Sequence, residues 1–306
     1  MDVHALESVD LSCADDVIAA LRRGAGANAA AACRSHSVDR ISGPGRLIAT
    51  GDLHDNPAHM ARLIEAAGLD VDPAGPRAAD AAHLTLHEII HPDNLLGGMD
   101  FSYRALVRAA ALKAAFPEKV HMLLANHELA QIRGSGIVKD GVRVVEAFNA
   151  GVEHIFGDDA EAVTAAIDAF IASMPLALIC DSARGRILCS HSLPSPPMMK
   201  RFDATILSRP ITEDDLRPLT GSAYMMVWGR GYDAELLEDL VERWGVTMFI
   251  LGHEWVEAGI RFVPPCAVVL NSDHARGVYL PIDLDAPPTP AQAPRLAVPL
   301  RPADAG

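Results

Sequence analysis

The chain has 306 residues, half of them hydrophobic and only 5% aromatic, with a formal net charge of −14. That length and apolar content supply a substantial core, as one large domain or two, and exclude a disordered chain. The acidic balance argues against nonspecific attraction to nucleic acid or anionic lipid, so any handling of phosphate needs a local cation source, bound metal being the obvious one.

The predicted elements alternate. Residues 14 to 24 carry Val17, Ile18 and Leu21 at helical spacing behind Asp15 and Asp16, followed by an alanine-rich, weakly specified stretch to about Ser42. Residues 1–44 are therefore expected to form an N-terminal helical extension. A short apolar strand at 46–50 follows. Pro57 opens a helix with Met60, Leu63 and Ile64 on its apolar face, ending near Gly68. The segment 70–80 is a loop, and His83 starts a second strand. A periodic helix at 101–115 is stopped by Pro117, and a third buried strand runs over 120–124. Strand, helix, strand, helix, strand is the pattern of a layered α/β fold with parallel pairing. Helices are expected at 143–149 and 159–173, and a hairpin pairs 176–180 with 186–189 around Asp181-Ser-Ala-Arg-Gly185. A helix at 234–244, a strand at 247–251, and strands at 259–263, 266–271 and 277–283 complete the domain, 45–285. The proline-rich residues 286–306 are expected to be a disordered tail.

Five cysteines (Cys13, Cys33, Cys180, Cys189, Cys266) are scattered without a Cys-x-x-Cys pair. They read as idle thiols in a reducing cytosol. Met1-Asp-Val-His-Ala lacks the basic start and apolar core of a signal peptide, and no apolar run is long enough to span a bilayer. The expected location is cytoplasmic, with no membrane and no nucleic-acid scaffold as partner.

Five predicted strand ends carry metal-ligand residue types. The first is Gly51-Asp-Leu-His-Asp-Asn56, where alternation sends Asp52 and His54 to the same side. Alone, Asp-x-His equally describes a turn aspartate beside a surface histidine. The second, His87-Glu-Ile-Ile-His-Pro-Asp93, can offer Glu88, His87, His91 or Asp93. The third is Asn126-His127-Glu128, whose asparagine would also suit a helix cap. The fourth and fifth place His191 and His253 after strands and a small residue. An aspartate, a glutamate, an asparagine and several histidines make a mixed nitrogen and oxygen set. It suits manganese, iron or zinc better than calcium and is large enough for two ions with one carboxylate to bridge. His4, His36, His59, His83, His121 and His154 read as surface or packing residues, and Asp273-His274 as a turn.

Gly51-Asp-Leu-His54, Asn126-His-Glu128, His191 after a hairpin and Gly252-His253 occur in the order seen in calcineurin-like metallophosphoesterases. Over about residues 46 to 284 the chain resembles that superfamily, and most closely its serine/threonine phosphoprotein phosphatase branch. The resemblance implies a four-layer α/β/β/α sandwich of two mixed sheets flanked by helices. It implies that Asp52 and His54 hold one metal and Asn126, His191 and His253 a second. Glu88 falls where the bridging aspartate stands, with one extra methylene. His127 would be the general acid and Glu128 would lie behind the ligands. His91 replaces the aspartate that steadies the catalytic histidine. The family's Gly-Asp-x-x-Asp-Arg-Gly is otherwise broken: His87 stands at its first glycine and Pro92 at its phosphate-clamping arginine. Arg230, between two glycines in Trp228-Gly-Arg-Gly231, resembles the Trp-x-Arg segments of bacterial phosphatases of this type and is one candidate clamp. Arg133 is another. Each arginine alone also reads as half of a surface salt bridge.

The implied activity is hydrolysis of phosphomonoesters, phosphoproteins included, by a hydroxide bridging two transition metals. The alternatives are a phosphodiesterase or dinucleotide polyphosphate hydrolase on the same site, and a non-catalytic binding protein on a decayed phosphatase fold.

Overall fold

The computed structural model describes residues 9–134, 136–139 and 141–301; His4 and the last five residues of the expected tail lie outside them. The strands are β1 (Arg34–Ser35), β2 (Val38–Ser42), β3 (Arg46–Ala49), β4 (His83–Leu86), β5 (Val120–Met122), β6 (Val138–Lys139), β7 (Val142–Arg143), β8 (Ala177–Ser182), β9 (Gly185–Ser190), β10 (Val246–Leu251), β11 (Ile260–Val263), β12 (Ala267–Leu270), β13 (Val278–Asp283) and β14 (Val298–Pro299). One sheet has the order β14-β13-β3-β4-β5, the other β1-β2-β8-β9-β10-β12-β11, and β6-β7 is a separate small hairpin.

Both large sheets are mixed. β3, β4 and β5 run parallel, with β13 antiparallel at the edge of that group. In the second sheet β9, β10 and β12 are parallel neighbours, while β8 pairs antiparallel with β9 as the hairpin signature predicts. The near-continuous apolar runs of β3, β4, β10 and β12 arise because these strands are covered on both faces. Alternation divides them. Leu47, Ala49, Ile187, Cys189, Met248, Ile250, Val268 and Leu270 pack between the sheets. Their neighbours Ile48, Leu188, Phe249, Leu251, Ala267 and Val269 face the outer, helix-covered core. The result is the predicted α/β/β/α sandwich.

The helices are α1 (Ala14–Ala30), α2 (Pro57–Ala67), α3 (Tyr103–Ala115), α4 (Asn126–Arg133), α5 (Val144–Phe156), α6 (Ala160–Ala172), α7 (Ser222–Trp228) and α8 (Ala234–Trp244). α2 has Asn56 as its N-cap, accepting from the backbone N–H of His59, and ends on a left-handed Gly68. Among the described residues no helix is long and apolar enough to cross a membrane.

Two boundaries differ from expectation. Residues 9–44 do more than extend the domain: α1 packs against α3 and α6, and β2 joins the second sheet beside β8. The expected disordered tail is ordered through residue 301. β14 adds to the edge of β13, and Ala293 and Leu300 are buried. Proline is compatible with an edge strand, which has one side free of ladder bonds, so proline content alone was a poor indicator of disorder here.

Candidate metal centre

Parallel strands deliver their C-terminal ends to one edge of each sheet. β3, β4 and β5 lead into Asp52 and His54, into His87 and Glu88, and into Asn126 and His127; β9 and β10 lead into His191 and His253. Two glycines allow the sheets to close on one another. A Cβ on Gly51 would run into the carbonyl of Leu270, and one on Gly252 into Asp52 Oδ1 and His87 Cε1. The two ends are stitched by a bridge between Asp52 and Asn271 and by both Asp52 oxygens, which accept from the backbone N–H of His253 at 2.9 and 3.0 Å. His54, Glu88, His91 and His253 all have positive φ, between 43° and 68°. Each such non-glycine residue costs on the order of 1–3 kcal/mol, and that strain concentrates here around one cluster of side chains.

Glu88 sits between two groups of donors. Its Oε1 lies 3.0 Å from His54 Nε2 and 3.6 Å from His127 Nε2, and its Oε2 lies 2.8 Å from His191 Nε2. His191 Nε2 is also 2.6 Å from Asn126 Oδ1 and 3.0 Å from His253 Nδ1. Two clusters able to hold a metal therefore share Glu88: His54, Glu88 and His127, and Glu88, His191 and His253. Asp52 lies behind them, with Oδ1 3.5 Å from His191 Nδ1 and 3.6 Å from His87 Nδ1.

The chemistry of this donor set fits cations. His54 Nδ1 faces the carbonyl of Ile90 at 3.1 Å and so carries the proton, which turns the Nε2 lone pair toward the Glu88 carboxylate. His191 Nε2 faces Asn126, Glu88 and His253 together, and one proton cannot satisfy three acceptors. Glu88 Oε2 and His253 Nε2 are buried without a hydrogen-bond partner; the 2.8 Å approach of Glu88 Oε2 to His191 lacks hydrogen-bond alignment. The pKa directions follow from the same crowding. Burial and the Glu88 charge push Asp52 up. Burial would raise Glu88 too, but His127, His191 and His54 hold it well below the usual carboxylate range. Burial works against protonation of His54, yet Glu88 drives it up to about 9, so the nitrogen beside that carboxylate demands a positive charge.

His127 lies at the start of α4 and is fixed from behind. Its Nδ1 is 2.9 Å from His91 Nδ1, and His91 Nε2 is 3.2 Å from Gln131 Oε1. Burial, against the opposing pull of Glu88, lowers His127 to about 4. Glu128 turns away and accepts from the backbone N–H of Ile89 at 2.7 Å, holding the segment that carries Glu88 and His91. Burial and Glu88 raise it to about 7.

The two arginines part company. Arg230 reaches the carbonyl of His253 at 3.5 Å from an exposed position. Arg133, at the far end of α4, pairs with Glu213 at 2.7 Å, about 10 Å of helix rise away from Asn126. It is not gathered with the other residues, because the helix carries it outward. Asp93, an alternative for Glu88, pairs with Lys139. Gln131 was not singled out from the sequence, although it lies one helical turn after His127 on the same face. His87, there only an alternative ligand, is fully inside the site.

A second cluster, Cys33, Asp39 and His121, has metal-ligand types in reach of one another, but Asp39 and His121 are already paired. Asp39 meets Arg34 Nε at 2.7 Å and His121 Nδ1 at 2.8 Å, and His121 Nε2 meets His83 Nδ1 at 3.0 Å. Its carboxylate and imidazoles satisfy one another, unlike those of the centre around Glu88.

No protein-family profile matches the chain, and no curated protein matches it in sequence. Solved structures do match. A protein serine/threonine phosphatase from Saccharomyces cerevisiae, with similarity to human phosphatase PP5, superposes with a TM-score of 0.61 at 12% identity, covering 89% of this chain and 83% of that one. The cold-active protein-tyrosine phosphatase of a psychrophilic Shewanella species gives 0.54 at 15% identity over 80% of this chain and 77% of its own. A mutant form of a cold-active protein tyrosine phosphatase gives 0.56 at 16% over 79% and 76%. At these identities the likeness is one of fold, the α/β/β/α sandwich described above.

Proposed function

We propose that this metallophosphoesterase-type fold carries a metal-dependent phosphoesterase that hydrolyses phosphomonoesters. The observation that carries the reading is Glu88: a buried carboxylate with one oxygen turned to His54 and the other to His191, between two donor clusters rich in lone pairs. Asp52, His54 and Glu88 would hold one ion, and Glu88, Asn126, His191 and His253 the other. Manganese, iron or zinc in those positions would act as a Lewis acid toward phosphoryl oxygens and make water a nucleophile near neutral pH.

The chain's own residues supply the rest. His127 Nδ1 is held by His91, so once a second proton is taken up on Nε2 the imidazolium would give that proton to the leaving oxygen. Arg230 offers a planar fork beside His253, suited to phosphate oxygens, with its own backbone N–H donated to Ser195. Glu128 and Gln131 keep the Glu88–His91 segment and His91 itself in register. The structural neighbours are, by their names, protein phosphatases, so phosphoserine and phosphotyrosine peptides head the substrate panel, before diesters and dinucleoside polyphosphates. The buried free thiols Cys180 and Cys189 fit work in a reducing cytosol.

The test is metal content together with hydrolysis of an aryl phosphate by the purified protein and by Glu88→Ala. The expected result is near two equivalents of transition metal and turnover in the wild type, with both lost in the variant. A metal-free, inert wild type overturns the reading and leaves a binding protein on a phosphatase fold.

A further inference from the structure

His87 occupies the position of a family glycine, yet it is only 2% exposed and is enclosed beneath Gly252, where a Cβ would strike its Cε1. We propose that His87 is a positioning residue: it fixes the tautomer of His191 and so shapes the second cation site. The inference rests on the metal-dependent reading above.

His87 Nε2 lies 2.9 Å from the carbonyl of Thr50. A carbonyl accepts, so this nitrogen carries the proton and His87 Nδ1 carries a lone pair. That lone pair faces His191 Nδ1 at 3.0 Å. Two lone pairs at that separation repel, so His191 Nδ1 carries a proton and donates it to His87. A neutral His191 then has its lone pair on Nε2, the nitrogen among Asn126 Oδ1, His253 Nδ1 and Glu88 Oε2. His87 therefore turns the one nitrogen that must be bare toward the cation. The other acceptor near His191 Nδ1, Asp52 Oδ1, is farther off at 3.5 Å and is occupied by the backbone N–H of His253.

The anchor at the other end is rigid. Thr50 donates its hydroxyl to the carbonyl of Thr85 at 2.7 Å and its N–H to Thr85 Oγ1 at 3.1 Å, tying the tips of β3 and β4 together. The relay thus runs from the backbone of the first sheet to a ligand of the second. Such partners of a ligating histidine typically govern about 10–100-fold in metal affinity.

The experiment titrates the metal-stripped full chain with Mn²⁺ or Zn²⁺ and follows binding calorimetrically, for wild type, His87→Leu and His87→Gln. Glutamine can offer an N–H to Thr50 and an oxygen to His191; leucine can offer neither. The expected result is two sites in the wild type, one site weakened roughly 10–100-fold in H87L, and recovery to within a few-fold in H87Q. Wild-type affinity in H87L overturns the proposal, as does an H87Q as impaired as H87L, which would make His87 a ligand in its own right. A long-range ¹H–¹⁵N spectrum of the metal-loaded wild type reads the tautomers without any variant: protons on His87 Nε2 and His191 Nδ1 are expected, and the opposite pattern overturns the relay. A wild type that binds no cation overturns the phosphoesterase reading itself, whereas two tight sites unaffected by H87L leave that reading standing and remove only the relay.

Discussion

Nδ1 of His91 lies 2.9 Å from Nδ1 of His127, where the resembling family sets a carboxylate against its catalytic histidine. Because His91 Nε2 donates to Gln131 Oε1, His91 presents a lone pair and His127 Nδ1 carries the proton. A neutral imidazole stabilises the His127 imidazolium less than a carboxylate would. A general acid must be protonated, so turnover of poor leaving groups falls as pH rises through its pKa. His91→Asp adds a negative charge beside His127 and should move the alkaline limb of the kcat profile for an alkyl phosphate to higher pH. An unmoved or lowered limb would show that His127 does not set it.

Replacing His127 with alanine should separate substrates by leaving group. Loss of a general acid costs about 10²–10⁴-fold where the leaving oxygen is basic. Alkyl phosphates should lose that much, and nitrophenyl phosphate, whose leaving group departs with little protonation, markedly less. Equal losses on both would remove His127 from that role.

The two arginines should behave differently. Arg230 stands beside His253, so Arg230→Ala should raise KM for phosphate esters and weaken inhibition by inorganic phosphate, by roughly tenfold or more if a charge-assisted bond is lost. Arg133→Ala breaks only a partly exposed pair with Glu213 and should leave kcat/KM within about twofold of wild type. Steady-state kinetics on both variants decides, and the reverse ranking would relocate the clamp.

Stability should fall on mild acidification through the second histidine pair. Burial, with His121 and Lys119 nearby, lowers His83 from 6.5 to about 3, and burial lowers His121 against the pull of Asp39. Both are neutral when folded but take protons when unfolded, so the stability they confer is present above pH 6.5 and is lost as pH falls from there toward 3. One such histidine contributes a slope of about 1.4 kcal/mol per pH unit. His83→Gln should therefore flatten the dependence measured by urea unfolding over that window. A slope equal to wild type would place the proton uptake elsewhere.

The strand tips were legible because sandwiched strands leave unbroken apolar runs, and the residue after each run is the one delivered to the sheet edge. Thr247 to Leu251 before His253 is an example. β2 was not legible. Its sequence Val-Asp-Arg-Ile-Ser is polar, and the burial of Asp39 makes sense only once Arg34 and the distant His121 are seen against it. The role of His87 was obscured by alternation itself, which sends positions 87 and 88 to opposite sides of a strand. The left-handed backbone at Glu88, φ 49°, breaks that rule and turns both inward. The ordered segment after Ala286 was masked by its prolines, since two residues of edge pairing and the buried Ala293 and Leu300, seven positions apart, leave no periodic signal.

The account stands or falls on what binds around Glu88. Anomalous diffraction from crystals of the purified protein, recorded at the absorption edge of the metal found in it, locates the ions directly. The account predicts two peaks roughly 3.5–4 Å apart, one beside Asp52 and His54, the other beside Asn126, His191 and His253, with the Glu88 carboxylate between them. A single peak, or none at that carboxylate in metal-replete crystals, would contradict it.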